Sequence, residues 1–119
     1  MKELLPLLRR FTVSWEQNVI LGDPRWQSEN MKAMQRSAKG LSKELLKLEP
    51  EYSEHANAEI RDGIHLICTE LRDFVMPDMR RLSVQGIEVM VAHGRMAFDN
   101  ARGLISYLEP EKLAKGPSD

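Results

Sequence analysis

Residues 77–108 read PDMRRLSVQGIEVMVAHGRMAFDNARGLISYL, and this stretch carries apolar side chains on two sides of one predicted helix. The first apolar stripe repeats every three or four residues and comprises Val84, Ile87, Val91, Gly94, Phe98, Ala101, Ile105 and Leu108. The second stripe comprises Met79, Leu82, Val89, Met96 and Leu104. A helix that is apolar on two sides is either central in its bundle or shared with another chain. Because a chain of 119 residues has little material to surround such a helix, we expect this helix to be shared.

Proline and glycine divide the rest of the chain into three further amphipathic segments. The four predicted helices cover residues 6–21, 24–49, 53–76 and 77–108. Apolar residues recur in each at helical spacing, and no long stretch alternates with period two. In the first three helices the predicted core positions are Leu4, Leu8, Phe11, Trp15, Val19, Met31, Met34, Ala38, Leu41, Leu45, Leu48, Ala56, Ile60, Ile64, Ile67, Leu71 and Phe74. The sequence therefore predicts one all-α, four-helix bundle-like domain over residues 1–108, with a long C-terminal helix and a flexible tail over residues 109–119.

The composition is that of an ordinary soluble domain, with 42% hydrophobic and 29% charged residues. A single cysteine excludes an internal disulfide. The N-terminal apolar patch is too short for a signal peptide, and no run approaches the about 18 apolar residues that a membrane span needs. We expect a bacterial, cytoplasmic protein that does not associate with membranes.

Seventeen basic and 18 acidic residues give a formal net charge of −1, which lacks the basic excess typical of nucleic-acid-binding proteins. The charges are nevertheless segregated. Residues 25–47 hold six Lys or Arg against two Glu, and residues 49–73 hold two Arg against seven acidic residues. The basic stripe of the second helix comprises Lys32, Arg36, Lys39, Lys43 and Lys47. Such a stripe could follow phosphates, but an antiparallel third helix would neutralise it, and we expect this neutralisation rather than nucleic-acid binding.

Asp62, His65 and Cys68 form the densest group of residues capable of chemistry, because they are three residues apart on one predicted helix. These residue types could ligate zinc or a transition metal. His65 and Cys68 lie beside Ile64 and Ile67 of the buried stripe, however, which favours a structural role. The Glu-x-x-His pairs of a di-iron bundle, glycine-rich phosphate loops and nucleophile elbows do not occur in the sequence. We therefore predict no catalytic or metal site, no cofactor and no enzymatic activity.

The sequence indicates a surface for binding a partner rather than a catalytic site. Gly86, Gly94 and Gly103 each cost about 1 kcal/mol relative to alanine inside a helix, and a close helix–helix contact would explain that cost. We predict an interface along the last helix, and expect a homodimer. The methionines of the second helix suit adaptable binding surfaces, and tryptophan is enriched at interfaces. The predicted interface residues are Val84, Ile87, Val91, Gly94, Phe98, Met31, Met34, Trp15 and Trp26.

Two segments carry a resemblance to a known family, namely RFTVSWEQNVILGDPRW at residues 10–26 and VQGIEVMVAHGRMAFDNARGLISYLEP at residues 84–110. In these segments the chain resembles the small helical antiactivators of LuxR-type quorum-sensing transcription factors in bacteria. The resemblance implies an all-α homodimer that binds the receptor and blocks its dimerisation or its binding to DNA. It brings no site residue with it, because neither segment contains a diagnostic motif. The alternative function is a nucleic-acid-associated or phage-type regulator that uses the basic stripe.

Overall fold

Four α-helices run through the part of the chain that the computed structural model describes, which is residues 4–23, 25, 27–52 and 57–109. They are α1 (Leu4–Trp15), α2 (Gln27–Tyr52), α3 (Ala58–Val75) and α4 (Val84–Leu108). A π-helical turn, Glu16–Ile20, continues α1, and a 3-10 turn, Met79–Arg81, precedes α4. The described residues contain no strand, so the all-helical prediction is confirmed. The predicted flexibility of residues 109–119 falls, beyond Glu109, outside the described residues.

The helices pack in a ring, in which α1 contacts α2 and α4, and α3 contacts α2 and α4. At the centre of the core the ring of Trp15 stacks on Phe98 at a centroid distance of 6.1 Å. The edge of Trp15 meets Phe74 at 5.6 Å, so one tryptophan joins α1 to both α3 and α4. The molecule measures 49 × 32 × 20 Å, as expected of an elongated bundle.

The long C-terminal helix begins at Val84 rather than at Pro77, which corrects the predicted boundary. The Asp78 carboxylate accepts a hydrogen bond from the backbone N–H of Arg80 and starts the separate 3-10 turn. The backbone is then extended at Leu82 and Ser83, and the Ser83 hydroxyl caps α4 by accepting from Gly86 N at 3.0 Å. Two capping side chains thus divide what the sequence pattern treats as one helix.

The ends of α2 and α3 also differ from the prediction. Helix α2 continues through Pro50 to Tyr52, although Pro50 has no backbone N–H to donate within the helix. Tyr52 is 5% exposed and anchors this last turn in the core. Helix α3 begins after Asn57, whose side-chain oxygen accepts from Glu59 N at 2.9 Å. The predicted start at Ser53 and the predicted core position Ala56 lie outside the described residues.

The first predicted helix ends in a π-helical turn, in which Leu21 N donates to Glu16 O at 2.8 Å. Gly22 follows at a place where a side chain does not fit. A Cβ atom there would lie 2.4 Å from Asn18 O and 2.6 Å from Asn30 Nδ2. The glycine therefore lets the chain pass close to both the π-helical turn and α2 before α2 begins.

Candidate protein-binding surface

The structure divides the nine predicted interface residues into three groups. The first group is buried and comprises Trp15, Met31, Met34, Gly94 and Phe98. The second group lies at the surface of α4 and comprises the exposed Val84 and the partly buried Ile87 and Val91. Trp26 lies outside the described residues. The predicted interface residues of α4 therefore lie partly in the core and partly at the surface, rather than along one continuous face.

The buried group belongs to the core of the chain itself. Trp15 is 2% exposed and Phe98 is 4% exposed, and the two rings stack on each other. The close approach predicted at Gly94 does occur, but it joins α4 to α1 of the same chain, because the indole of Trp15 lies against the glycine. Of the other two glycines, Gly86 contacts the nearby Leu82, and Gly103 has open space where a Cβ would be.

The predicted eight-residue stripe of α4 coincides only in part with the buried positions of the helix. The buried positions of α4 are Met90, Gly94, Ala97, Phe98, Ala101 and Leu104. A stripe that repeats about every 3.5 residues drifts by ~20° per heptad around a helix of 3.6 residues per turn. Because of this drift, Val84 faces away from the core and is 75% exposed. Leu104 of the second stripe faces the core instead.

A shallow groove of about 330 Å³ collects the surface members of the predicted interface. We call it the α4 groove. It is lined by Gln27, Ser28, Met31, Met79, Val84, Ile87, Glu88 and Val91. Val84, Ile87 and Val91 share one side of α4 because they are three and seven residues apart. The groove thus brings three segments of the chain together around an apolar floor with a few polar groups at its rim.

Two of the groove residues illustrate what the sequence patterns missed. Met79 is assigned by its spacing to the last helix, yet it lies in the 3-10 turn, from which it reaches the groove. Met31 is 4% exposed, so it forms part of the floor rather than a projecting contact. The signal that separates Met79 from the helix is Ser83, a residue type that caps helices, four positions later.

The opposite side of α4 is also apolar and exposed. Val89 is 58% exposed and Met96 is 49% exposed, while Gly103 continues the same seven-residue spacing. We call this row the outer stripe. It agrees with the expectation that α4 carries more apolar side chains than its own bundle buries.

The basic stripe of α2 is exposed and is not neutralised by α3, which corrects the predicted pairing. Among the described residues, Lys32, Arg36, Lys39 and Lys43 form no ion pair, and Lys47 pairs with Glu44 of its own helix at 3.5 Å. Three acidic residues of α3 have other partners. Asp62 pairs with Arg61, Asp73 with Arg72, and Glu70 with His93 of α4.

Asp62, His65 and Cys68 do not converge on one point. The Nδ1 atom of His65 lies 3.3 Å from Glu49 Oε1, and Asp62 pairs with its neighbour on the helix. Cys68 is buried, and this burial, together with the charge of Glu49, raises the pKa of its thiol to about 12. Within the described part of the chain, no group of three His, Cys, Asp or Glu side chains is placed to hold a metal ion.

Comparison with models of protein families, with curated proteins and with solved structures found no match to this chain. Among the described residues, none of the helices combines the length and the apolar character that crossing a membrane requires.

Proposed function

We propose that this chain is a non-enzymatic regulatory protein that binds a protein partner through the α4 groove. The exposed apolar side chains of α4 support the proposal, above all Val84 with 75% exposure beside Ile87 and Val91. Apolar surface of this kind gains about 25 cal/mol per Å² when a partner covers it. The methionines of the groove add side chains that adapt to the shape of an occupant.

The partner that we propose is a LuxR-type quorum-sensing transcription factor, which the chain would keep from dimerising or from binding DNA. The resemblance of residues 10–26 and 84–110 to antiactivators supports this choice. Inhibition by occlusion requires that the inhibitor binds more tightly than the second receptor subunit or the DNA, and it requires no catalytic group.

We further propose that the chain is a homodimer that associates along α4. This helix has 25 residues and is therefore about 38 Å long, which gives a second copy enough length for a stable contact. A stable interface of standard size covers roughly 800 Å² on each partner. The exposed Val84 and the partly buried Ile87 and Val91 are the side chains that such a contact would bury, so a second copy and the protein partner would compete for the α4 groove.

A matched pair of valine variants tests the proposal. Val84→Glu places a charge in the α4 groove, whereas Val13→Glu makes the same change at a 50% exposed valine of α1 outside the groove. Purified LuxR-type receptors are mixed with each protein, and the receptor's binding to its DNA site is followed by electrophoretic mobility shift. We expect the wild-type chain and Val13→Glu to inhibit, and Val84→Glu to lose inhibition. Equal inhibition by both variants would refute a role for the groove, and no inhibition by the wild type would refute the choice of partner.

Binding to nucleic acid is the second candidate function, and the exposed cations of α2 that have no ion-pair partner in the described part of the chain favour it. Phosphate binding by Lys32, Arg36, Lys39 and Lys43 would release counterions, so the affinity would fall steeply with salt. Fluorescence anisotropy with a labelled DNA duplex measures this slope. Lys39→Glu combined with Lys43→Glu should remove the binding, while Arg95→Glu on α4 is the control for a change of charge elsewhere.

A further inference from the structure

A second groove lies between α2 and α3, which run antiparallel. Their direction follows from two contacts, since Gln35 of α2 reaches the carbonyl of Phe74, whereas Glu49 of α2 reaches His65. The groove has a volume of about 280 Å³ and shares no residue with the α4 groove. We call it the α2–α3 groove.

Exposed apolar side chains line the α2–α3 groove. Leu46 is 52% exposed and Met76 is 74% exposed, and both line the groove beside Val75. Cys68 completes the floor. Because the pKa of its buried thiol is about 12, the side chain is uncharged at neutral pH and behaves as a small apolar group.

The rim of the groove carries positive charge at one end. Lys39 and Lys43 line it from α2, and Arg72 lines it from α3. The two lysines have no ion-pair partner among the described residues, and Arg72 is 3.8 Å from the carboxylate of Asp73, which is adjacent in sequence. At the other end Glu49 and His65 contact each other. The charge of the rim is therefore polarised along the groove.

The length of the α2–α3 groove suits a short helical segment. From Lys39 to Glu49 the groove follows ten residues of α2, which corresponds to about 15 Å or roughly three helical turns. A helix laid into such a groove places apolar residues three or four positions apart on the floor and other residues along the rim. Carboxylates at those flanking positions of the bound helix would complement the cations of the rim. Nucleic acid would satisfy the cations but would leave Leu46 and Met76 uncovered.

We propose that the α2–α3 groove binds an acidic amphipathic helix of a protein partner. The partner's apolar residues cover Leu46 and Met76, and its carboxylates lie at the end marked by Lys39, Lys43 and Arg72. The charge complementarity sets the orientation of the helix, because a carboxylate at the opposite end would face Glu49. This surface is separate from the α4 groove, so one chain can bind both occupants.

The test uses a fluorescein-labelled synthetic peptide of 18 residues, with leucines on one helical face and glutamates on both flanks. A matched peptide has lysine in place of every glutamate. Fluorescence anisotropy with the full chain measures both affinities. We expect the acidic peptide to bind and the lysine peptide not to bind. The affinity for the acidic peptide should fall as the salt concentration rises. Lys39→Glu with Lys43→Glu should weaken this binding about tenfold or more, because like charges then face each other.

Met76→Gln separates helix docking from simple attraction between charges. This variant keeps the length and the neutrality of an exposed side chain while removing its apolar character. We expect it to weaken the binding of the acidic peptide severalfold. Arg95→Glu should leave the affinity unchanged, and so should Val84→Glu, which distinguishes this groove from the α4 groove. The proposal is overturned if the acidic peptide does not bind, if Met76→Gln binds it as the wild type does, or if single-stranded DNA displaces it.

Discussion

Gly94 of α4 lies directly against the indole ring of Trp15 of α1. A Cβ atom at Gly94 would be 2.6 Å from both Cη2 and Cζ3 of Trp15, and 2.7 Å from Cδ1 of Phe74. Neither ring has room to retreat, because both are buried and packed against each other. The glycine therefore sets how closely α4 approaches α1, and the aromatic centre of the core depends on the absence of a side chain at this position.

Substituting Gly94 by alanine should destabilise the protein. The added methyl group overpacks the core, at a cost of typically 1–3 kcal/mol. The better helix propensity of alanine returns about 1 kcal/mol of that cost. We expect a net loss of up to about 2 kcal/mol in the free energy of unfolding, measured by urea denaturation followed by circular dichroism.

Gly40→Ala is the matched control for this substitution. Gly40 also lies inside a helix, α2, but nothing lies within 4 Å of the place where its Cβ would be. Alanine there should raise the free energy of unfolding by about 0.5–1 kcal/mol. If Gly94→Ala were as stable as Gly40→Ala, the contact with Trp15 would not constrain the packing of α4.

Gln35 joins α2 to the end of α3, and replacing it should also destabilise the fold. Its Nε2 atom donates to the carbonyl of Phe74 at 3.1 Å and to that of Pro77 at 2.7 Å. Gln35→Leu keeps a similar volume but leaves these carbonyls without the donor, at a cost of about 1–3 kcal/mol. Thermal unfolding of Gln35→Leu measures the loss. Gln85→Leu changes an exposed glutamine of α4 and should stay within about 0.5 kcal/mol of the wild type.

Cys68 should react slowly with thiol reagents in the folded protein. Its pKa is raised from the ordinary value of 9.0 to about 12, first by burial and second by the charge of Glu49. At pH 8 this shift lowers the thiolate fraction roughly a thousandfold. We expect slow reaction with Ellman's reagent in buffer and fast reaction in urea. Equal rates in the two conditions would contradict the burial of the thiol.

The same pKa shift makes stability depend on pH above 9. The folded state holds the thiol proton more tightly than the unfolded state, so the contribution of Cys68 is complete below pH 9. It is lost progressively as the pH rises from 9 towards 12. Other groups titrate in the same range, and the difference between the wild type and Cys68→Ala isolates the effect of the thiol. The wild type should lose stability relative to Cys68→Ala between pH 8 and pH 11, and the difference should stay constant between pH 6 and pH 8.

The core of the first three helices could be predicted from the sequence because local periodicity determines which side of a helix is apolar. The predicted core positions of α2 and the described ones of α3 are all buried, including Met34 and Ile67 at 0% exposure. Helix α4 is different because it carries apolar residues on more than one side, and periodicity alone then does not determine which side is buried. The orientation of α4 depends on Gly94, because a larger residue would not fit against Trp15, which is distant in sequence.

The candidate surfaces were predictable only in their parts. The pattern identifies Val84 and Met31 as separate candidates, but their meeting in one groove depends on how α2 and α4 pack. The lysines of α2 illustrate the converse error. Opposite net charges on consecutive helices suggest pairing, yet Lys39 and Lys43 lie at the rim of a groove, without ion-pair partners among the described residues. Net charge gives no information about the direction in which each side chain points.

The two exposed sides of α4 should differ in their effect on self-association. The α4 groove adds Met31 and Met79 from other segments to the valines of α4, so a second copy covers apolar surface contributed by three elements. The outer stripe is narrower, and Gly103 contributes no side chain to it. Val84→Glu should therefore shift the protein from dimer to monomer, while Met96→Glu should leave the dimer intact. Size-exclusion chromatography with light scattering, over a range of protein concentrations, measures the mass of each variant. Dissociation by Met96→Glu alone would place the dimer contact on the outer stripe and leave the α4 groove free for the partner.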